Sequence, residues 1–136
     1  MDGKLASFSP ARDVQVRVLV IEDNAFIALD LQTQLEDLGC NVIGTAVTAT
    51  QALEVARRTM PDLAFVDLQL ADGSRGQDAA SALRTELNVA CIILSGSLQS
   101  VTDEERETIR PFAMLSKPVL PHELSSVVSR YQDGHR

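Results

Sequence analysis

The sequence is poor in cysteine: Cys40 and Cys91 are the only two, and each sits in an apolar stretch. That excludes a dense disulfide framework and suits free buried thiols in a reducing cytoplasm. No apolar run approaches the roughly 20 residues that cross a bilayer. Met1 to Arg12 carries a single Lys and no continuous apolar stretch, so no signal peptide is expected. Basic residues are also scarce, 12 against 19 acidic, for a formal net charge of −7. Nucleic-acid binding driven by phosphate contacts needs clustered Lys and Arg, so direct nucleic-acid binding is not expected. Repeats, linkers and low-complexity segments are lacking. The only histidines, His122 and His135, sit at a helix start and in a tail and are expected to be exposed, with no role. What remains is 136 residues, 45% hydrophobic and 23% charged, enough for one domain with a substantial core. The expectation is a cytoplasmic, soluble protein without membrane contact.

Residues 1–13 are small, polar and aperiodic, and are expected to form a flexible lead-in. Residues 14–132 form the expected domain and 133–136 a tail, with no room for a second domain. Short apolar runs recur at Val16–Ile21, Asn41–Ala46, Leu63–Val66, Ala90–Leu94 and Phe112–Leu115. Such runs mark strands buried on both faces. Helical patterns separate them. Ile27, Leu31, Leu35 and Leu38 make one stripe, closed by Gly39. A second helix spans Thr50 to Thr59 and stops at Met60-Pro61; a third spans Asp78 to Leu87; the last spans Pro121 to Tyr131. Thr102-Asp103-Glu104-Glu105 reads as an N-cap with an acidic first turn. Val101 and Ile109 are almost its only large apolar residues, which predicts a short or mobile fourth helix. Five β-α alternations over about 120 residues require right-handed crossovers and a parallel sheet with helices on both faces. The fold class is α/β, an open doubly wound sandwich. Ligands in such folds bind beyond the carboxyl ends of the strands.

The residues at those ends are chemically distinctive. Glu22, Asp23 and Asn24 follow the first run, Asp67 the third, Ser95 and Gly96 the fourth, and Ser116, Lys117 and Pro118 the fifth. Three carboxylates projecting from one sheet edge repel unless a cation screens them. A hard divalent ion with oxygen ligands suits this set, Mg²⁺ best. Taken singly, Glu22-Asp23 could be favourable charge at a helix start, Asp67 a turn residue, and Lys117 a solvated surface lysine. Asp72-Gly73 and Asp78 belong most simply to a turn and a helix cap.

Glu22-Asp23, Asp67, Ser95 and Lys117-Pro118, in this order on this alternation, resemble the receiver domain of two-component response regulators. The resemblance covers roughly Val16 to Tyr131. It implies a flavodoxin-like (βα)5 sandwich with a five-stranded parallel sheet in the order 2-1-3-4-5. It implies that Asp67 accepts a phosphoryl group from a histidine kinase or a histidine phosphotransferase. Asp23 and Asp67 would ligate Mg²⁺ by carboxylate, Gln69 by its backbone carbonyl, and Glu22 mostly through metal-bound water. Ser95 and Lys117 would hold phosphoryl oxygens, and the Lys117–Pro118 bond would be cis. The chemistry is coherent: a carboxylate is a competent nucleophile, and phosphoryl transfer needs positioning and charge neutralisation. The product, an aspartyl phosphate, is labile, as a reversible signal requires.

Some positions depart from the common receiver pattern. Ser95 replaces a more frequent Thr, Met114 stands where many receivers carry an aromatic switch residue, and Ala71 stands where a Pro often follows the phosphoacceptor loop. The Ser95-Gly96-Ser97 turn with its poor fourth helix resembles single-domain receivers of the alphaproteobacterial general-stress type. Signalling is therefore expected to involve ordering of Ser97–Arg110, with output by protein contact through the last two helices and fifth strand. Gln69 and Ser97 are expected to flank a hydrolytic water. The expected oligomeric state is a monomer or weak homodimer. One alternative is a constitutive partner-binding pseudo-receiver. Another is a haloacid-dehalogenase-like phosphatase, which needs a second Asp two residues after the nucleophile; that position is Gln69. An enzyme beyond self-phosphorylation and self-dephosphorylation is not expected.

Overall fold

Val18, Leu19, Val20 and Ile21 have no accessible surface and form the heart of strand β1 (Arg17–Ile21). The structure, a computed structural model, describes residues 15–135. The expected lead-in at 1–13 and Arg136 of the expected tail lie outside the described residues. Along the chain follow α1 (Ala25–Asp37), β2 (Asn41–Ala46), α2 (Ala49–Thr59), β3 (Leu63–Asp67), α3 (Gly76–Leu87), β4 (Ala90–Ser95), α4 (Asp103–Ile109), β5 (Ala113–Ser116) and α5 (Pro121–Gly134). Two short 3₁₀ turns, Ala71–Gly73 and Leu98–Ser100, precede α3 and α4. The strands pair in parallel in the order β2-β1-β3-β4-β5, as the resemblance implied.

Strand side chains alternate between two cores. Leu19, Ile21, Ala64, Val66, Cys91 and Ile93 pack under α2, α3 and α4. Val18, Val20, Leu63, Phe65, Ile92 and Leu94 pack under α1 and α5. Burial on both faces holds for β1, β3 and β4. It does not hold for β2 and β5, which run along the sheet's edges and keep partly exposed residues. Gly44 on β2 has a packing reason: a Cβ there would come within 2.9 Å of Val55 Cγ1, so its absence lets α2 lie close.

Helix ends follow local chemistry. The Asn24 side chain accepts from Phe26 N–H and Ile27 N–H at 3.0 and 3.1 Å, capping α1. Gly39 has φ +89°, the left-handed turn expected of it, whereas α2 closes on Met60 at φ +50° immediately before Pro61. Helix α3 starts at Gly76, so Asp78 sits in its first turn, paired with Arg75 at 3.3 Å, and is not the cap. Helix α4 is short, as its thin apolar stripe predicts. It is a capped helix nonetheless: Thr102 and Glu105 form a reciprocal capping box, and Ile109 is fully buried. His135 is exposed, but it stacks on Tyr131 with centroids 4.0 Å apart and 13° between planes, a packing contact its tail position did not predict.

Candidate functional site

Each strand-end residue arrives by the same device. Strands β1, β3 and β4 are buried to their last residue, in edge strand β5 Leu115 alone is buried, and the chain then leaves the sheet at its carboxyl edge. Ile21 delivers Glu22 and Asp23, Val66 delivers Asp67, Leu94 delivers Ser95, and β5 delivers Lys117. One carboxylate oxygen each from Glu22, Asp23 and Asp67 lie within 4.8 Å of one another. Glu22 and Asp67 are buried and Asp23 is exposed, so the cluster opens to solvent on one side.

Lys117 supplies the countercharge. Its Nζ lies 2.9 Å from Asp67 Oδ2 and 3.3 Å from Glu22 Oε1. The solvated-lysine alternative does not hold: only 28% of its side chain is exposed and it holds two carboxylates. Burial pulls its pKa down, yet the hydrogen bond and charge of Asp67, with Glu22 behind, outweigh burial and raise it. Burial lifts the Glu22 carboxyl above its ordinary value, aided by the Asp67 charge and opposed by the Asn24 N–H and Lys117. Glu22 faces into the cluster with Oε1 on Lys117, while its Oε2 accepts from Asn24 N–H at 3.1 Å. The Lys117–Pro118 bond is cis.

Asp67 has its other oxygen, Oδ1, on the Gln69 N–H at 3.1 Å. Its exposure is only 4%, but it ends a strand beside exposed Asp23, at the sheet edge and not between the layers. Ser95 Oγ accepts from Ser97 N–H at 2.9 Å, which leaves its own proton to donate. The Gln69 and Ser97 side chains face solvent. Met114 is half-buried against the core that holds Val101 and Ile109, and a thioether offers no hydroxyl to hydrogen-bond.

The donor set fits a hard divalent cation: three carboxylates with only one ammonium among them, one side open for retained waters.

Sequence reasoning missed Gly76. A Cβ there would meet the Asp67 backbone carbonyl, Leu68 Cα at 2.6 Å and Asp67 C at 2.8 Å. Only glycine lets α3 begin against the backbone of Asp67, and Gly76 N–H donates to Leu68 O at 2.9 Å. Its one signal was a glycine opening an Ala-rich helix. Arg75 and Arg84 were missed as well. Arg84 donates to the Ile109 and Arg110 carbonyls at 2.9 and 3.0 Å, closing the end of α4.

A family model for the response regulator receiver domain matches residues 18–129. Phyllosphere-induced regulator PhyR of Methylorubrum extorquens is 38% identical over 121 residues, 88% of this chain and 45% of that protein. Transcriptional regulatory protein PdtaR of Mycobacterium tuberculosis is 31% identical over 102 residues, 75% of this chain and 49% of that one. The chain thus spans about half the length of these curated relatives. Among solved structures, the PhyR receiver domain of Erythrobacter litoralis has a TM-score of 0.77 at 31% identity, covering 85% of this chain and 88% of that one. Anti-anti-sigma factor PhyR from Bartonella quintana has a TM-score of 0.75 at 27% identity, covering 90% of this chain and 50% of that one.

Proposed function

The chain belongs to the response regulator receiver domain family, and from that premise we propose that Asp67 accepts a phosphoryl group from a phospho-histidine in a Mg²⁺-dependent step. The donor is a histidine kinase or histidine phosphotransferase. The observation that carries this is the convergence of Asp23, Glu22 and Lys117 on Asp67 at one sheet edge. Receiver domains and the PhyR relatives are regulators and not classical enzymes.

Glu22, Asp23, Asp67 and the Gln69 backbone carbonyl would hold the Mg²⁺. When bound, the ion neutralises charge on the transferring oxygens. An Asp67 carboxylate oxygen forms the bond to phosphorus as the phosphorus–nitrogen bond breaks, and the electron pair leaves on the imidazole nitrogen. Lys117, held charged by its two carboxylates, pairs with one phosphoryl oxygen, and the Ser95 hydroxyl donates to another. The β3–α3 loop and the N-terminus of α3, seated on Asp67 by Gly76, keep the nucleophile in place. Later attack of water on phosphorus returns the carboxylate, past Gln69 and Ser97.

Output is a phosphorylation-dependent protein contact, on α4, β5 and α5. The Bartonella relative is an anti-anti-sigma factor, which supports a protein target over a nucleic acid. Intact mass after acetyl phosphate treatment tests the chemistry. The expected result is a gain of one phosphoryl group with Mg²⁺, no gain after chelation, and no gain in Asp67→Asn. A wild-type chain that takes up no phosphate would leave the constitutive partner-binding alternative; turnover of phosphate esters would favour the phosphatase.

A further inference from the structure

Between Asp67 and α3 the chain makes a small closed loop. Gly76 N–H bonds Leu68 O at 2.9 Å across its base, and Gln69 and Arg75 form an isolated antiparallel bridge within it. Gln69 is also the residue whose N–H is held by Asp67 Oδ1. At the far end of the same loop, the Arg75 guanidinium reaches across to α4, with Nη2 2.9 Å from Glu105 Oε2. Glu105 is not an incidental surface acid. Its other oxygen accepts from Thr102 N–H at 2.9 Å, closing the capping box that begins α4. Only 18% of its side chain is exposed, and the Thr102 N–H, then Arg75, hold its carboxyl below the usual range.

We propose that Arg75 is a positioning residue that ties the placement of α4, through Glu105, to the occupancy of Asp67. The inference rests on the phosphoacceptor role of Asp67. Phosphorylation turns the carboxylate into an acyl phosphate, with a bridging anhydride oxygen and a carbonyl oxygen, a weaker acceptor, in place of two charged oxygens, so the Gln69 N–H is held differently. The pinned loop passes that change to Arg75 with little room to absorb it. The guanidinium has two anchors, Glu105 on α4 and Asp78 in the first turn of α3 at 3.3 Å. Releasing Glu105 therefore leaves Arg75 paired, and the two states differ by few interactions. Such a polar route is available where Met114 provides no hydroxyl on the β5 side. In this scheme Ser97–Arg110 is repositioned on phosphorylation, since its helix is already capped.

The test uses the full chain with Mg²⁺ and beryllofluoride, with loading followed by fluorine NMR and α4 by amide exchange. In the wild type, loading is expected to change exchange across Thr102–Arg110 by about threefold or more, a local-opening effect. Arg75→Ala should load as well as wild type, yet give the same α4 exchange loaded and unloaded. Glu105→Gln should behave likewise; its amide oxygen keeps the capping box, but its amide nitrogen faces Arg75 with a donor. Arg75→Lys should restore part of the response. The ratio of loaded to unloaded exchange is the readout, since a merely structural anchor would shift both states alike. An unchanged ratio in Arg75→Ala or Glu105→Gln overturns the proposal, as does a loaded wild type with an unresponsive α4. A wild type that fails to load overturns the phosphoacceptor role itself, and this inference with it.

Discussion

Single residues near Asp67 act through what they leave out as much as through what they carry. Gly76 is the clearest case, because any side chain there collides with backbone, which cannot swing aside as a side-chain tip can. Gly76→Ala is expected to cost about 1–3 kcal/mol, the scale of overpacking a tight site. Urea unfolding measures it. The same variant should take up phosphate from acetyl phosphate more slowly, because Asp67 has to move with its carbonyl. Cysteines give the opposite case, buried groups kept from reacting. Burial pushes the thiols of Cys40 and Cys91 up to about 11 and about 12 from 9.0. Well below pH 9 both thiols are largely protonated in either state, but the unfolded chain gains thiolate as pH nears 9 while the native thiols do not; stability is lost as pH rises from 9 toward those values. A disulfide reagent at pH 8 should therefore label the native protein at least about tenfold more slowly than the urea-unfolded chain. Equal rates would show that the thiols are accessible.

At the level of elements, legibility tracked how local the cause was. Glu22, Asp23, Asp67, Ser95 and Lys117 were readable because each follows an apolar run that fixes both its strand and its edge. The exposure of β2 and β5 was not, because an apolar run does not say which strand lies outermost. Arg75 and Glu105 are separated by 30 residues, and charged side chains outside the apolar stripes carry no periodic signal. Hence α4 looked weak in sequence, where only its apolar stripe counts, while the fold holds it with a capping box and arginines from α3 and the loop before it. The loops before α3 and α4 also present Gln69 and Ser97, whose side chains face solvent and leave the core untouched. Gln69→Ala and Ser97→Ala are expected to change the lifetime of the aspartyl phosphate by several-fold, with stability within about 0.5 kcal/mol of wild type. Decay of the phosphorylated mass, beside urea unfolding, checks both halves; unaltered decay would remove these side chains from the water's path.

Across the whole molecule, the sheet separates two surfaces that meet at the site. On the α1–α5 side the site opens into a cavity of about 520 Å³, lined by Phe26, Ile27, Leu94, Pro118 and Val119, with Lys117 at its edge. Phe26 is 85% exposed, Leu29 60% and Leu120 47%. Singly exposed apolar groups are ordinary on a protein surface, and what distinguishes Phe26 is that it lines this cavity beside Lys117. Phe26 shares the cavity with Lys117 and Leu29 lies on the same helix, so under the proposed function a macromolecular phosphodonor reaching Asp67 from this side is expected to contact these α1 side chains. Acetyl phosphate, by contrast, is small enough to reach Asp67 without touching them. Phe26→Ala with Leu29→Ala should therefore slow transfer from a phosphorylated kinase or phosphotransferase by about tenfold or more, the effect of losing a contact worth at least ~1.4 kcal/mol. The rate from acetyl phosphate should stay within about twofold, and so should the magnesium dependence, because no exposed α1 side chain contributes to the carboxylate cluster. Stability should be unchanged or slightly higher, since two exposed apolar groups leave the surface. Equal slowing with both donors would place the effect at Asp67 itself, through a disturbed α1, and would remove this face as the docking surface.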